Sequence, residues 1–573
     1  MLILCNRKDK FPKETITLIK NILKQNGVNV KESRIINVKN SIFSIRIELK
    51  DIPGIGTNGK GISKEYARAS AYAEFMERLQ SSFLIKPFYL NKQIEEKFFK
   101  DEHVVEYNKI IENESNSNLL KFLKNNSKYR CMSTFYNVFE ESYVDLPIKL
   151  INALTHSNGL CAGNSQAEAI TQGICEIFER YCYKKILFDE CELPTIDVDN
   201  IEELSVYTQL MQLKALGFHY EIKDCSIDGK FPVVGIIIYN TLKDKYLFSI
   251  GADIDFDIAL QRCITEIFQG LSIKKIGLKM KSVVNNYKEN KKRYGNEFLM
   301  LNWLRCYSSN SGIHSSNIFS SNKKINIKNL PFRKVESNQK AMEMLYQILK
   351  KENLELFIKN YSFMGFETYK IYIPGISEID EIDALKLNLS KSFDSLRNTY
   401  FNMYDAINVL SEKDERLLFE MSNKVKYKAF MLPSKVFNAD NNIKCDYIKL
   451  NFFYILLIYL SINGRYEKIS KYVRLKLRED QLNEYEIKYL LCIRDIIKKN
   501  TSLSNYPSRV IRDCKRLLFD TKKYLICLKA PACPNCYKCP TKSKCQYSNW
   551  LKLNSKVKEA MLKWIYVLKM LQQ

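Results

Sequence analysis

Ala71-Tyr72-Ala73-Glu74-Phe75-Met76-Glu77-Arg78, Gly173-Ile174-Cys175-Glu176-Ile177-Phe178-Glu179-Arg180 and Cys263-Ile264-Thr265-Glu266-Ile267-Phe268-Gln269 are three copies of one phrase. Each is a small or polar stretch, a Glu, two large apolar residues, and a Glu or Gln three positions after the first. On a helix, positions i and i+3 share a face, so each phrase points two polar groups one way and its apolar pair into a core. If the three helices converge, Glu74, Glu77, Glu176, Glu179 and Glu266 share one pocket. Like charges in a low-dielectric site repel strongly, so that pocket demands cations. Carboxylate oxygens suit Mg2+, a hard ion that commonly bridges to phosphates, and Arg180 and Arg262 offer fork-like donors to the same phosphates.

Around these three phrases the chain of 573 residues is long enough for several domains, and its 46% apolar content is ample for their cores. The net charge of +25 points to an acidic partner such as nucleic acid or a phosphate-rich ligand. Its Lys residues are spread out, however, which also fits a solvated surface. Seventeen mostly scattered Cys and no signal-peptide pattern lead to an expectation of reduced, cytoplasmic usage. The longest apolar run, Phe452 to Ile462, is too short to cross a bilayer, so no membrane partner is expected.

Residues 1–50 read as strand, helix and strand, with Ile16, Ile19, Ile22 and Leu23 on one helix face. A glycine-rich loop is expected at 54–61 and a second at 157–164, each feeding a phrase helix. Gly54 to Lys60 satisfies G-x-x-x-x-G-K, yet Gly61 stands where a Walker loop needs Ser or Thr, so a tight turn with a nearby basic residue is preferred. Asn164 or Ser165 can cap the second phrase helix, and Glu168 joins its Glu176 face. Strands are expected at Phe231 to Asn240, Tyr246 to Ile250 and Tyr369 to Ile373. Beyond about residue 385 the pattern is helical only, with a hairpin around Asn463-Gly464 whose Gly464 and Tyr466 resemble tetratricopeptide-type repeats. The four His show no ligand spacing and are taken as structural.

Several stretches together resemble the YcaO family of ATP-dependent enzymes that activate peptide-backbone amides. They are Thr57-Asn58-Gly59-Lys60-Gly61, the S-x-x-x-E-x-x-E-R of Ser70 to Arg78, the Ser157 to Asn164 segment, E-x-x-E-R at Glu176 to Arg180, Arg262/Glu266/Gln269, and Pro374-Gly375. The resemblance covers about residues 1–390 and implies an α+β fold: a YcaO-type catalytic domain of mixed sheets and helices, then an all-α domain over 391–573. It implies that Glu74, Glu77, Glu176, Glu179 and Glu266 hold Mg2+. Lys8, Thr15, Ser70, Asn164, Glu168 and Gln269 would line the nucleotide site, with Arg180 and Arg262 on the phosphates. The implied reaction phosphorylates an amide oxygen and ends in a heterocycle or, with external sulfide, a thioamide. The chain ends without the P-x-P-x-P tail of azoline-forming members, and length and helical extension are similar to the stand-alone type, linked as an accessory factor to methylthiolation of a ribosomal protein. Expected partners are a peptide or protein substrate and a partner or ribosomal protein, and a homodimer is compatible with all of this.

A second feature lies at 527–545: Cys533, Cys536, Cys539 and Cys545 form C-x2-C-x2-C-x5-C, enough thiolates for an iron–sulfur cluster or a structural Zn2+. It also feeds a rival reading, a basic RNA- or ribosome-binding protein with a zinc knuckle and no catalysis. The rival predicts salt-sensitive RNA binding without nucleotide affinity.

Overall fold

In a computed structural model the described residues are 7–38, 42–52, 55–84, 101–105, 130–198, 201–268, 277, 279–309, 312–319 and 323–381. In the C-terminal part they are chiefly 452–478, 484–498, 503–519 and 552–564, with a few of 412–419. They form two compact units, one holding the described residues of 1–84, 97–382 and 549–573, the other those of 383–548. The expected first strand, Gln269 and the cysteines at 527–545 lie outside the described residues.

The first unit begins with helix α1 (Pro12–Gln25), which buries Ile16, Ile19, Ile22 and Leu23 as their spacing predicts. A four-stranded sheet follows: β1 (Val30–Glu32), β2 (Ile36–Val38), β3 (Ile42–Leu49) and β4 (Gly56–Gly61), with β3 pairing all the others antiparallel. The glycine stretch expected as a loop is thus strand β4. Its glycines serve close packing: a Cβ on Gly59 would lie 2.0 Å from the carbonyl oxygen of Ala67 and 2.3 Å from the nitrogen of Ala71. Only a bare backbone lets the next helix, α2 (Lys64–Gln80), lie that close on the strand.

A second sheet is built from β5 (His103–Val104), β6 (Cys131–Asn137), β7 (Ser142–Leu146) and β8 (Leu160–Gly163), with α3 (Ile148–Thr155) between β7 and β8. The second expected glycine loop is therefore mostly strand β8, leaving a turn around Gly159 at φ +79°. The long helix α4 (Gln166–Phe188) comes next. It leads into a six-stranded sheet: β9 (Thr195–Asp197), α5 (Tyr207–Ala215), β10 (His219–Asp224), β11 (Val233–Tyr239), β12 (Lys245–Ala252), α6 (Phe256–Ile267), β13 (Lys281–Ser282), α7 (Tyr287–Ser309) and β14 (Lys324–Asn326). After α8 (Asn338–Lys351), strands β15 (Phe357–Asn360) and β16 (Glu367–Tyr372) return to the second sheet and join β6 to β8.

Strand β11 explains the layering. Its run is apolar at nearly every position because both faces are covered. Val233, Ile237 and Tyr239 pack with α4, whereas Val234, Ile236 and Ile238 pack with α5 and α6. Helix α4 is thereby buried on one side by this sheet and on another by β8, β16 and α8, which fixes its axis at the centre of the unit.

The second unit is helical in its described part: α9 (Phe452–Ile462), α10 (Tyr466–Leu477), α11 (Glu484–Ile497) and α12 (Ser508–Phe519). Gly464, at φ +66°, makes the turn between α9 and α10, and Leu456, Leu460, Ile469, Val473, Ile493 and Leu518 are fully buried among the helices. No helix among the described residues is long and apolar enough to cross a membrane.

Candidate active site

The three phrases lie on α2, α4 and α6, and each helix is entered from a strand through a side-chain cap. Ser63 Oγ accepts the N–H of Tyr66 (3.2 Å), Ser165 Oγ that of Glu168 (3.1 Å), and Asp255 Oδ1 that of Asp257 (3.0 Å). Of the two candidate caps for α4, Ser165 takes the role. The apolar pairs turn inward: Phe75, Met76, Ile177 and Phe178 are fully buried and Ile267 and Phe268 nearly so. The five glutamates of the phrases turn to one cavity of about 340 Å3.

Glu74, Glu77, Glu176, Glu179 and Glu266 all line that cavity, as do Lys8, Thr15, Ser70, Asn164, Glu168, Arg180 and Arg262. At its α1 end Glu168 is saturated with donors. Lys8 Nζ lies at 2.9 Å, the Asp9 N–H at 3.0 Å, and Asn164 Nδ2 at 3.0 and 3.2 Å from the two oxygens. Asn164 in turn accepts from the Thr15 hydroxyl at 2.7 Å. Burial acts to raise the Glu168 carboxyl, but Lys8 and these N–H donors outweigh it and hold it below the usual range.

The glutamate end differs. Arg78 reaches Glu77 at 3.2 Å and Glu74 at 3.6 Å, Arg180 lies 3.6 Å from Glu179, and Lys60 is ion-paired with Glu266. The protein thus brings Lys60, Arg78, Arg180 and Arg262 to five carboxylates, so the charge demand inferred from the phrases is partly met from within. It is not fully met. Burial pushes Glu74 and Glu179 up and Glu77 well up, with neighbouring carboxylates adding to the shift. Burial likewise lowers Lys60 to about 8. As they stand, paired with these cations, no three acidic, His or Cys side chains among the described residues are grouped closely enough to hold a metal ion. What they offer is oxygen donors along one cavity, the ligand type that Mg2+ takes together with phosphate oxygens.

Lys60, Asp253 with its partner Arg7, and Lys370 escaped the sequence reading. Lys60, read there as a turn residue, projects from β4 into the cavity. Asp253, only 1% exposed, accepts from Arg7 at 2.5 Å and from Arg262 at 3.4 Å. Lys370 of β16 is fully buried, and its Nζ donates to Thr155 Oγ1 (2.7 Å), the Asn158 carbonyl (2.7 Å) and the His156 carbonyl (3.3 Å). It ties the turn before β8 to the sheet, and burial lowers it to about 7. Their partners lie far off in sequence, and only the G-x-x-x-x-G-K match hinted at any of them. His314 is a core residue between the hydroxyls of Tyr183 and Tyr246, each at 2.9 Å, and His156 pairs with Asp380 at 2.6 Å.

The sequence model of the family described as YcaO cyclodehydratase, ATP- and Mg2+-binding, matches residues 58–377, more than half of the chain. The protein belongs to the YcaO family. It is 27% identical over 440 residues to the Escherichia coli ribosomal protein S12 methylthiotransferase accessory factor YcaO, covering 71% of this chain and 73% of that one. Among solved structures, a YcaO from Methanopyrus kandleri bound with AMPPCP and Mg2+ aligns at 19% identity and a TM-score of 0.43, over 65% of this chain and 94% of that one. A heterocyclase in complex with substrate and cofactor aligns at 15% identity and a TM-score of 0.43, and this chain spans about half its length, 53%.

Proposed function

We propose that the protein is an ATP- and Mg2+-dependent enzyme that activates a peptide-backbone amide by phosphorylating its carbonyl oxygen. The observation that carries this reading is the convergence of five glutamates, three arginines and the Lys8/Thr15/Asn164/Glu168 network on one cavity. Glu74, Glu77, Glu176, Glu179 and Glu266 would hold Mg2+, and Ser70, Asn164, Glu168, Lys8 and Thr15 the nucleotide, with Arg180 and Arg262 against its phosphates. Bound Mg-ATP supplies the phosphoryl group that replaces a poor leaving group, amide oxygen, by a good one, phosphate. The chain's own part is electrostatic. Guanidinium forks fixed on helices neutralise charge without reorganising, and the half-buried cavity strengthens each such contact.

More specifically, the product is a thioamide or the protein acts as an accessory factor in ribosomal protein methylthiolation, the latter supported by the name of the Escherichia coli relative. Catalysis is assigned to residues 1–390, and the helices beyond are read as a separate domain resembling tetratricopeptide repeats. An iron–sulfur cluster or Zn2+ at Cys533, Cys536, Cys539 and Cys545 is a separate proposal, tested by metal and sulfide analysis after anaerobic purification. The family match over 58–377 favours this enzyme reading over the RNA-binding rival. Calorimetric titration of ATP with Mg2+ into wild type and Glu176→Ala tests it. Binding lost in the variant is expected, and indistinguishable titrations would sink the assignment.

A further inference from the structure

Arg262 stands on α6 with its guanidinium in the cavity, and its hydrogen-bond partner among the described residues is Asp253. Asp253 sits in the junction between β12 and α6, where its N–H donates to the Pro232 carbonyl at 3.2 Å. Its two oxygens are used differently. Oδ1 takes the Asp255 N–H at 3.0 Å and Arg7 Nη2 at 2.5 Å, while Oδ2 faces Arg262 Nη2 at 3.4 Å. Arg7 is itself fixed, because Asn338 Nδ2 donates to its carbonyl oxygen, and its side chain is only 8% exposed.

We infer that Asp253, held by Arg7 and the Asp255 N–H, is a positioning residue that aims Arg262 at the phosphates of the bound nucleotide. This rests on the reading of the cavity as a nucleotide site. A guanidinium has five N–H donors in a rigid fork, so pinning one nitrogen orients the remainder. A long Arg side chain otherwise loses rotamer freedom on meeting its anion, and Asp253 removes that cost before the ligand arrives. Because Oδ1 is occupied by Arg7 and the Asp255 N–H, the carboxylate is not free to rotate away from Arg262. Asp253 touches no substrate in this scheme; it acts through Arg262.

A double-mutant cycle tests it on the full chain, with Mg-ATP affinity read by calorimetry for wild type, Asp253→Asn, Arg262→Met and the double variant. All are titrated below their measured melting temperatures, and Asp253→Ser replaces Asp253→Asn if the latter does not fold. Each single variant is expected to weaken binding about tenfold, with little further loss in the double variant, since coupled sites are non-additive. A purely structural Asp253 gives additive losses, and that result overturns the inference while leaving the nucleotide site intact. Wild-type-like binding by Arg262→Met overturns it as well. Absence of ATP binding by wild type removes the proposed function and this inference together.

Discussion

The two ends of the cavity hold the same side chain in opposite conditions. Glu168 has a lysine, an amide and a backbone N–H arranged around it, and its carboxyl is held below the usual range. Eight and eleven residues further along the same helix, Glu176 and Glu179 face Glu74, Glu77 and Glu266, and burial raises Glu74, Glu77 and Glu179. One end is complete as a protein structure; the other is arranged at a standing electrostatic cost. A fold keeps such a cost where a ligand removes it, which is why perturbed carboxylates in a cleft point to function. Experiments that treat the two ends alike in sequence therefore separate them in energy.

Glu77→Gln gives the largest contrast. Glu77 is 6% exposed and its carboxyl is driven well up by burial, so neutralising it relieves the cluster. In EDTA the variant is expected to melt above wild type. Wild type gains about 2.7 kcal/mol from Mg2+ at a hundredfold excess over its dissociation constant, by mass action. The variant loses most of that gain. Thermal melts with and without Mg2+ check both halves, and an unchanged Mg2+ response breaks the comparison at its functional end.

Glu168→Gln is expected to behave oppositely. Loss of the charge weakens the bonds from Lys8 and Asp9, and the amide places N–H groups against the Asn164 and Lys8 donors. Destabilisation of about 2 kcal/mol follows, the usual cost of breaking a buried charge-assisted hydrogen bond. It is the same in EDTA and in Mg2+ without nucleotide. A variant that melts like wild type shows that the α1 end is not built around this carboxylate.

The difference between the ends also shows what a sequence carries. Glu74/Glu77, Glu176/Glu179 and Glu266 were legible because i and i+3 positions and their apolar neighbours are local patterns. The buried run of β11 was legible for the same reason. Two glycine stretches were misread as loops, because Gly59 is chosen for the approach of Ala67 and Ala71, a packing fact that composition does not express. Arg7 and Asp253 stand 246 residues apart, and nothing in either segment announces the other. Lys370 looked like any strand residue until the turn at 155–158 closed over it. Charged residues whose partners come from another element are what the sequence leaves hidden.

The smallest expected effect is in the pH dependence of stability, where the two ends have opposite signs. A carboxyl raised in the folded state binds protons more tightly there than in the unfolded chain, whose Glu value is about 4.3. Stability of metal-free protein therefore falls as pH rises from that value through the folded one, by up to about 1.4 kcal/mol per pH unit for each such carboxyl. Glu168, held low, contributes stability that is present above the unfolded value and lost only as pH falls through its folded value. Other groups slope the curve too. His314, pushed well below its usual range by burial, loses stability on acidification, and Lys370, lowered to about 7, still titrates near neutrality. The informative quantity is thus the stability of Glu77→Gln minus wild type, measured in EDTA from pH 5 to 6.5, in which the His314 contribution cancels, while Lys370 and Glu74, whose charges act on Glu77, remain part of the difference. That difference should widen as pH rises and close when Mg2+ is added. A difference that stays flat across the range means that Glu77 is already ionised at low pH, and then the glutamate end is as fully compensated by Lys60, Arg78, Arg180 and Arg262 as Glu168 is by Lys8.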